Sequence, residues 1–298
     1  MERTLRLIIN PVASSMRGGT LLSAVERTLA GRGWIVERRL TRARGDGTVL
    51  AREAVADGSS LVVAAGGDGT INEVVNALVG SEVTLGVLPM GLSNVFALEL
   101  GLSLNPLEAV RAVDEGVLRR IDLGEVNGRC FAQMVGVGID GEAVAAMNPK
   151  IKRWIGVGAY LLGGIQAGFG YPSAPLKVID NDTGEEFVTS SLIVGNGRFY
   201  GGTFTVTPDA ANDDGLLDGC ALRHDGLFST LRVVARVMLN RHRGDRAVTL
   251  FRSRSLTILP VAGRPAVRYQ VDGELAGLVP AEIRLRPGAL QVLAAPGH

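Results

Sequence analysis

The chain carries two textures of hydrophobic and polar residues. From Leu5 to Asp114, short β-branched runs at Leu5–Ile9, Ile35–Leu40, Leu61–Ala65 and Thr84–Leu88 alternate with segments at Leu21–Leu29, Val49–Val55 and Ile71–Leu78, whose apolar residues recur at helical spacing. Such alternation predicts a mostly parallel sheet covered by crossover helices. After Ile121 the runs shorten and are separated by Gly, Asn and Asp: Phe131–Val135, Leu176–Ile179, Leu192–Val194, Ser255–Leu259 and Val267–Val271. This pattern predicts an antiparallel β-sandwich, interrupted by a helix over Leu227–Leu239 with Leu231, Val234 and Met238 on one face. The expected organisation is an α/β N-terminal domain over residues 1–120 and a β-rich domain over 121–298, with the boundary near Leu118–Asp122 and a cleft between the two.

Composition narrows the function. Of 298 residues, 46% are hydrophobic and 20% charged, enough apolar material for a substantial core. The formal net charge of +1 argues against a nucleic-acid binder, which concentrates Lys and Arg on one face. Cys130 and Cys220 lie far apart without metal-ligand spacing, so neither a zinc site nor a disulfide framework is indicated, and a reducing cytoplasm is expected. Met1–Asn10 reads as a first strand and not as a signal peptide. The weakly polar run Trp154–Gly170, broken by Gln166 and several glycines, is shorter than the roughly 20 apolar residues of a spanning helix.

The chemistry centres on Val62-Val63-Ala64-Ala65-Gly66-Gly67-Asp68-Gly69-Thr70, where glycines follow a strand and precede a helix. Glycine permits close backbone approach, and the N–H groups of a following helix favour an anion; this is a phosphate-binding geometry, with a plain strand-to-helix turn capped by Asp68 as the alternative. Lys150, Lys152 and Lys177 are the only lysines, so none falls in the first half of the chain. A Walker-A loop and a protein kinase both require one there, and the spacing does not match a dinucleotide-binding turn. Backbone N–H groups, a metal ion or arginines must then meet the phosphate charge.

Gly66-Gly67-Asp68-Gly69-Thr70-Ile71-Asn72-Glu73-Val74-Val75-Asn76 resembles the signature of the diacylglycerol kinase catalytic domain family, which includes bacterial lipid kinases and sphingosine kinases. Three further blocks follow in family order: Leu88–Ala97; then Gly195-Asn196-Gly197 through Asp213-Asp214-Gly215-Leu216-Leu217-Asp218; and Val271-Asp272-Gly273-Glu274. The resemblance implies ATP- and magnesium-dependent phosphoryl transfer to a lipid hydroxyl, with the active site in the interdomain cleft. It assigns nucleotide binding to Asn10, Pro11, Ser14, Thr41, Gly66, Gly67, Asp68, Gly69, Thr70, Ile71, Asn72, Gly91, Ser93 and Asn94. Magnesium falls to the Asp214 carboxylate and the carbonyls of Ala211 and Leu216, a sparse set of hard oxygens; a turn between strands is the alternative for that loop. Glu274 matches the proton acceptor, with Asp272 two residues earlier and on the same side if the segment is extended, and with Asp68 as a third catalytic candidate; a β-turn with solvated acids is the alternative.

Two positions depart from the pattern. Leu92 stands where many relatives have Thr, and Val95 where many have Asp, which leaves more of any water and metal network to Asp68 and Asp122. Lys150, Lys152, Arg153 and Trp154, ahead of the apolar run, suit an anionic membrane interface, although the run also fits ordinary core. The expected protein is therefore cytoplasmic and peripheral at the membrane, its oligomeric state open and a homodimer included. The rival readings are a kinase of a soluble acceptor such as NAD, and a catalytically inactive nucleotide- or lipid-binding regulator.

Overall fold

The computed structural model describes residues 3–13, 20–146, 174–223 and 227–297, with the side chains of 227–231 excepted. Ser14 and the basic and apolar segment from Lys150 through Gly170 lie outside the described residues. The chain forms two compact units, Met1–Ile121 with Pro287–His298, and Asp122–Arg286.

In the first unit, strands β1 (Arg3–Ile9), β2 (Trp34–Leu40), β3 (Leu61–Gly66) and β4 (Thr84–Pro89) alternate with helices α1 (Thr20–Gly31), α2 (Asp46–Ala56) and α3 (Asp68–Leu78). Short helices α4 (Val95–Glu99), α5 (Pro106–Ala109) and α6 (Ala112–Glu115) follow. The sheet is parallel in the order β2-β1-β3-β4, as the alternation predicts. Leu7 and Ile9 pack in one cluster with Leu22, Val25 and Leu29 of α1, while Ile8, between them, is buried on the opposite face, so both faces of β1 are covered. Helix α3 begins at Asp68, a turn earlier than apolar periodicity indicates, because its first turn is the glycine motif itself.

The second unit contains the end of β5 (Val117–Val126), then β6 (Arg129–Phe131), β7 (Met134–Val137), α7 (Ile139–Ala146), β8 (Leu176–Asp180), β9 (Glu186–Thr189), β10 (Ser191–Gly195), β11 (Phe199–Tyr200) and β12 (Phe204–Thr205). It continues with β13 (Leu217–Leu222), α8 (Leu227–Met238), β14 (Val248–Ser253), β15 (Ser255–Pro260), β16 (Arg268–Val271), β17 (Glu274–Leu278) and the start of β18 (Ala281–Ala294). One antiparallel sheet runs β14-β13-β10-β7-β16-β17 and a second runs β18-β15-β8-β9. Val135, Val137, Leu192 and Val194 of one share a buried cluster with Leu176, Val178, Leu256 and Ile258 of the other, which makes the unit a sandwich.

The division between the units falls between Ile121 and Asp122, within the continuous strand β5 (Val117–Val126). Two sequence expectations need correction. The last residues do not stay with the sandwich: Gln291 and Val292 of β18 pair in parallel with Thr84 and Leu85 of β4, adding a strand to the first unit. The run Phe131–Val135 is not one strand, because Ala132 and Gln133 leave the ladder where a carboxylate takes their N–H groups.

Close packing in the sandwich makes Gly124 a sensitive position. It pairs with Phe131, and a Cβ added to it would lie 1.9 Å from the Phe131 ring, which is fully buried. Gly124→Ala is therefore expected to cost about 1–3 kcal/mol of stability by overpacking, read as a lower denaturant midpoint with an unchanged m-value.

Candidate active site

Each unit carries one group of the sequence-predicted residues. In the first, they gather at the C-terminal ends of the parallel strands, where open α/β sheets bind ligands. Asn10 follows β1; its Oδ1 accepts the Val12 N–H at 3.1 Å and its Nδ2 donates to Thr70 Oγ1 at 3.0 Å, tying the first loop to α3. Thr41 follows β2, buried, with its N–H on the Ile9 carbonyl at 2.9 Å. Pro11 is exposed, Ser93 is partly exposed, and Asn72 is buried, its carbonyl and Oδ1 both facing Asn76 Nδ2. The Ile71 side chain is buried in the core and its N–H donates to the Gly67 carbonyl at 3.1 Å.

Two loops meet at glycines. A Cβ on Gly67 would lie 3.1 Å from the Gly91 Cα, and one on Gly91 would lie 2.6 Å from the Gly67 Cα. The glycine turn and the loop after β4 thus approach backbone to backbone, a contact that any side chain would pry open. Asn94, in the left-handed region at φ 48°, closes the second loop by accepting the Gly91 N–H at 2.7 Å and returning its Nδ2 to the Gly91 carbonyl at 3.1 Å. Asp68 reaches the same loop. Its carboxylate accepts the Phe96 N–H at 3.3 Å and faces the N–H groups of Val95 and Asn94; burial pushes its pKa up and these donors oppose the shift. Its geometry is that of a positioning residue for the loop. Leu92 points outward, 53% exposed, and Val95 is buried at the start of α4.

Glu73 is a residue to which sequence reasoning gave no role. Its two oxygens accept the Gly45 N–H at 2.7 Å and the Gly47 N–H at 3.0 Å, holding the start of α2 and the loop that carries Thr41 against α3. The Asn-Glu continuation of the glycine motif was the available signal.

In the second unit, Asp122 is buried and accepts the Gly215 N–H at 2.8 Å, while its own N–H donates to the Asn212 carbonyl at 2.7 Å. Both bonds fix the loop that carries Ala211, Asp214 and Leu216. Asp214 Oδ1 accepts the Leu216 N–H at 3.1 Å, and Oδ2 meets Arg252 only at 3.7 Å, so the carboxylate keeps lone pairs for a hard cation. No cluster of three His, Cys, Asp or Glu suited to a metal occurs among the described residues. One carboxylate with neighbouring carbonyls is nevertheless a donor set that fits magnesium, which retains water.

Asp272 and Glu274 do not lie on an extended segment. Asp272 and Gly273, at φ 47° and 81°, form the two-residue turn between β16 and β17, the left-handed pair that an Asp-Gly sequence favours. The acids therefore diverge. Asp272 is half-buried: its carboxylate accepts the N–H groups of Ala132, Gln133 and Met134 at 3.0, 3.1 and 2.9 Å, and burial pushes its pKa up to about 6 against that support. Glu274 is paired with Arg129 at 2.7 Å and stays partly exposed. Nearby in the same unit, Asn196 is fully buried, its Nδ2 donating to the carbonyls of Asp122 and Ala132 at 2.9 and 3.1 Å. Gln133, which sequence reasoning passed over, has both amide atoms buried without a hydrogen-bond partner among the described residues.

The raised pKa of Asp272 gives a signed pH effect. Folding favours its protonated form, so its contribution to stability is fully present below the unfolded value of 3.8 and is lost as pH rises through about 6. The unfolding free energy of the wild type minus that of Asp272→Asn should thus be larger near pH 4 than near pH 7, measured by denaturant titration. A difference independent of pH would contradict the burial argument.

Comparison with known proteins places these features. Residues 4–126 match the family described as the diacylglycerol kinase catalytic domain, and residues 133–294 match the YegS C-terminal NAD kinase beta sandwich-like domain. The chain is 32% identical over 283 residues to a protein of Bacillus subtilis named diacylglycerol kinase, covering 93% of this chain and 91% of that one. It is 35% identical over 263 residues to a probable lipid kinase, YegS-like, of Pseudomonas aeruginosa, with 85% and 83% covered. A crystal structure of a diacylglycerol kinase from Bacillus anthracis superposes with a TM-score of 0.79 at 25% identity, covering 99% and 98%. With its glycine turn, acidic loop and Asp-Gly-Glu hairpin in family order, the chain belongs to the diacylglycerol kinase catalytic domain family and is an enzyme of the lipid-kinase-like phosphotransferases.

Proposed function

We propose that the enzyme transfers the terminal phosphoryl group of ATP, with magnesium, to a hydroxyl of a diacylglycerol-like lipid at a membrane surface. The observation that carries the lipid reading is a cavity of about 140 Å³ in the second unit, lined by Ile193, Phe204, Val206, Val233, Val237 and Met238 among others. Its mostly apolar lining suits part of an acyl chain better than the polar body of NAD. The 32% identity over 283 residues to a protein named diacylglycerol kinase supports the same acceptor class. No helix among the described residues is long and apolar enough to cross a membrane. Lys150, Lys152 and Arg153 are the residues proposed to bring the enzyme to anionic lipid.

The nucleotide is assigned to the first unit. Its phosphates lie on backbone N–H groups at the glycine turn, with Thr41, Ser93 and Asn94 supplying polar contacts, because no lysine is present there. Asp68, Glu73 and Asn10 act by holding these loops in place. Magnesium, when bound by Asp214 and the carbonyls of Ala211 and Leu216, supplies positive charge against phosphate oxygens. Glu274, oriented by Arg129, takes the proton of the acceptor hydroxyl as its oxygen attacks phosphorus.

Radiolabelled ATP offered with a panel of diacylglycerol, other lipid alcohols and NAD tests the assignment: incorporation into a lipid is expected, and incorporation into NAD alone would overturn it. Glu274→Gln keeps the side-chain shape and removes the base; turnover should fall by about 10²–10⁴-fold with ATP affinity little changed. Gly67→Val, which drives a branched side chain into the Gly91 backbone, should abolish ATP binding in calorimetry while the protein remains folded.

A further inference from the structure

The apolar cavity has one polar boundary. Asp140 and Tyr200 both line it, and Asp140 is buried at 7% exposure. The Tyr200 hydroxyl donates to Asp140 Oδ1, and Gln270 Nε2 donates to Asp140 Oδ2 at 2.6 Å. Gln270, 2% exposed, has a second bond: its Oε1 accepts the Gly273 N–H at 2.6 Å. Gly273 is half of the two-residue turn that leads into Glu274. A continuous chain of hydrogen bonds therefore runs from the wall of the cavity, through one side-chain amide, to the turn that carries the proposed base.

The amide can serve this chain in only one orientation. A backbone N–H requires an acceptor, so Oε1 must face Gly273, which leaves the Nε2 hydrogens for Asp140. The backbone has made room for the arrangement. Gly136 is the cross-strand partner of Gln270, and a Cβ on it would lie 1.6 Å from Asp140 Oδ2; only a residue without a side chain lets the carboxylate reach across. Gly141, in the first turn of α7, would carry a Cβ 2.4 Å from the Arg268 carbonyl, so α7 sits directly on β16 and holds Asp140 over Gln270. A buried carboxylate facing an apolar cavity is costly unless its bonds serve a purpose.

We propose that Asp140 and Gln270 are positioning residues for the acceptor chemistry, fixing the Asp272–Gly273 turn and hence the placement of Glu274 from the wall of the apolar cavity. The catalytic part of this inference rests on the reading of Glu274 as the proton acceptor; the structural part stands without it. Burial raises the pKa of Asp140, and the Tyr200 and Gln270 hydrogen bonds oppose the rise without cancelling it.

An exchange of amide and carboxylate tests the chain. Gln270→Glu keeps an acceptor for Gly273 but sets a second carboxylate against Asp140. Adding Asp140→Asn restores complementarity, because the new amide can donate to the new carboxylate and still accept from Tyr200. Gln270→Leu removes the Gly273 acceptor altogether, and Asp140→Asn cannot repair it. Amide hydrogen exchange of Gly273, followed by NMR in the full chain, should accelerate about tenfold in Gln270→Glu and in Gln270→Leu. It should return to within about threefold of wild type in the Asp140→Asn, Gln270→Glu double variant only. Turnover of dioctanoylglycerol with saturating ATP should follow the same order, falling roughly 10–100-fold in the two single variants with the KM for ATP unchanged. Additive losses in the double variant, or Gly273 exchange unaffected by Gln270→Leu, would overturn the positioning role. Restored Gly273 exchange in the double variant, together with a wild-type enzyme that phosphorylates no lipid, would instead leave the hydrogen-bond chain standing and reject the proposed acceptor.

Discussion

Carboxylates aimed at backbone N–H groups hold the functional loops of this enzyme. Asp272 collects three consecutive N–H groups from Ala132 to Met134, Glu73 takes those of Gly45 and Gly47, Asp68 takes that of Phe96, and Asp122 takes that of Gly215. A charge-assisted bond of this kind is roughly twice as strong as a neutral one, and it does not depend on which side chain the loop displays. Loops otherwise have few means of staying still, since their backbone groups lack ladder partners. The same device accounts for the break between β6 and β7, where the sequence is apolar enough to continue as a strand and the carboxylate draws the backbone away.

The glycines serve a complementary purpose. Gly67 and Gly91 let two loops approach with no side chain between them, and Gly136 and Gly141 let Asp140 reach Gln270. Absence of a Cβ is here a packing requirement; Gly67 itself is in extended backbone, at φ −89° and ψ 178°, which any residue can adopt. Glycine motifs in such sites are thus read most informatively by asking which second segment lies against them.

How much of this was legible depends on the range of the interaction. Local periodicity was enough to place β1 to β4 and the helices between them, since a helix face or a doubly buried strand leaves its mark within a dozen residues. The four motif blocks were equally local. Pairings between distant residues left no such mark: Glu73 with the α2 loop, Arg129 with Glu274, Gln270 with Asp140, and the return of Gln291 and Val292 to β4. Ile71 shows that a motif contains core positions too: helical spacing alone puts its side chain inward. The Asp-Gly pair in Val271-Asp272-Gly273-Glu274 is itself a hairpin signal, and of the two readings the sequence left open, extended segment and β-turn, the structure has the turn.

The hairpin also gives the two acids of the motif different surroundings. On an extended segment they would be interchangeable, and the smaller distance to substrate would choose. At a left-handed turn they have different fates: Asp272 faces inward to three backbone donors, and removing a proton from substrate would require it to abandon bonds that hold the Ala132–Met134 loop. Glu274 pairs with the Arg129 guanidinium at 2.7 Å, a side-chain partner and not a loop backbone. Protonating it would take no acceptor from the Ala132–Met134 N–H groups, which go to Asp272. The turn thus separates the surroundings of the two acids: Asp272 builds the loop, Gln270 links the turn to Asp140, and the proposed mechanism gives the proton of the acceptor hydroxyl to Glu274.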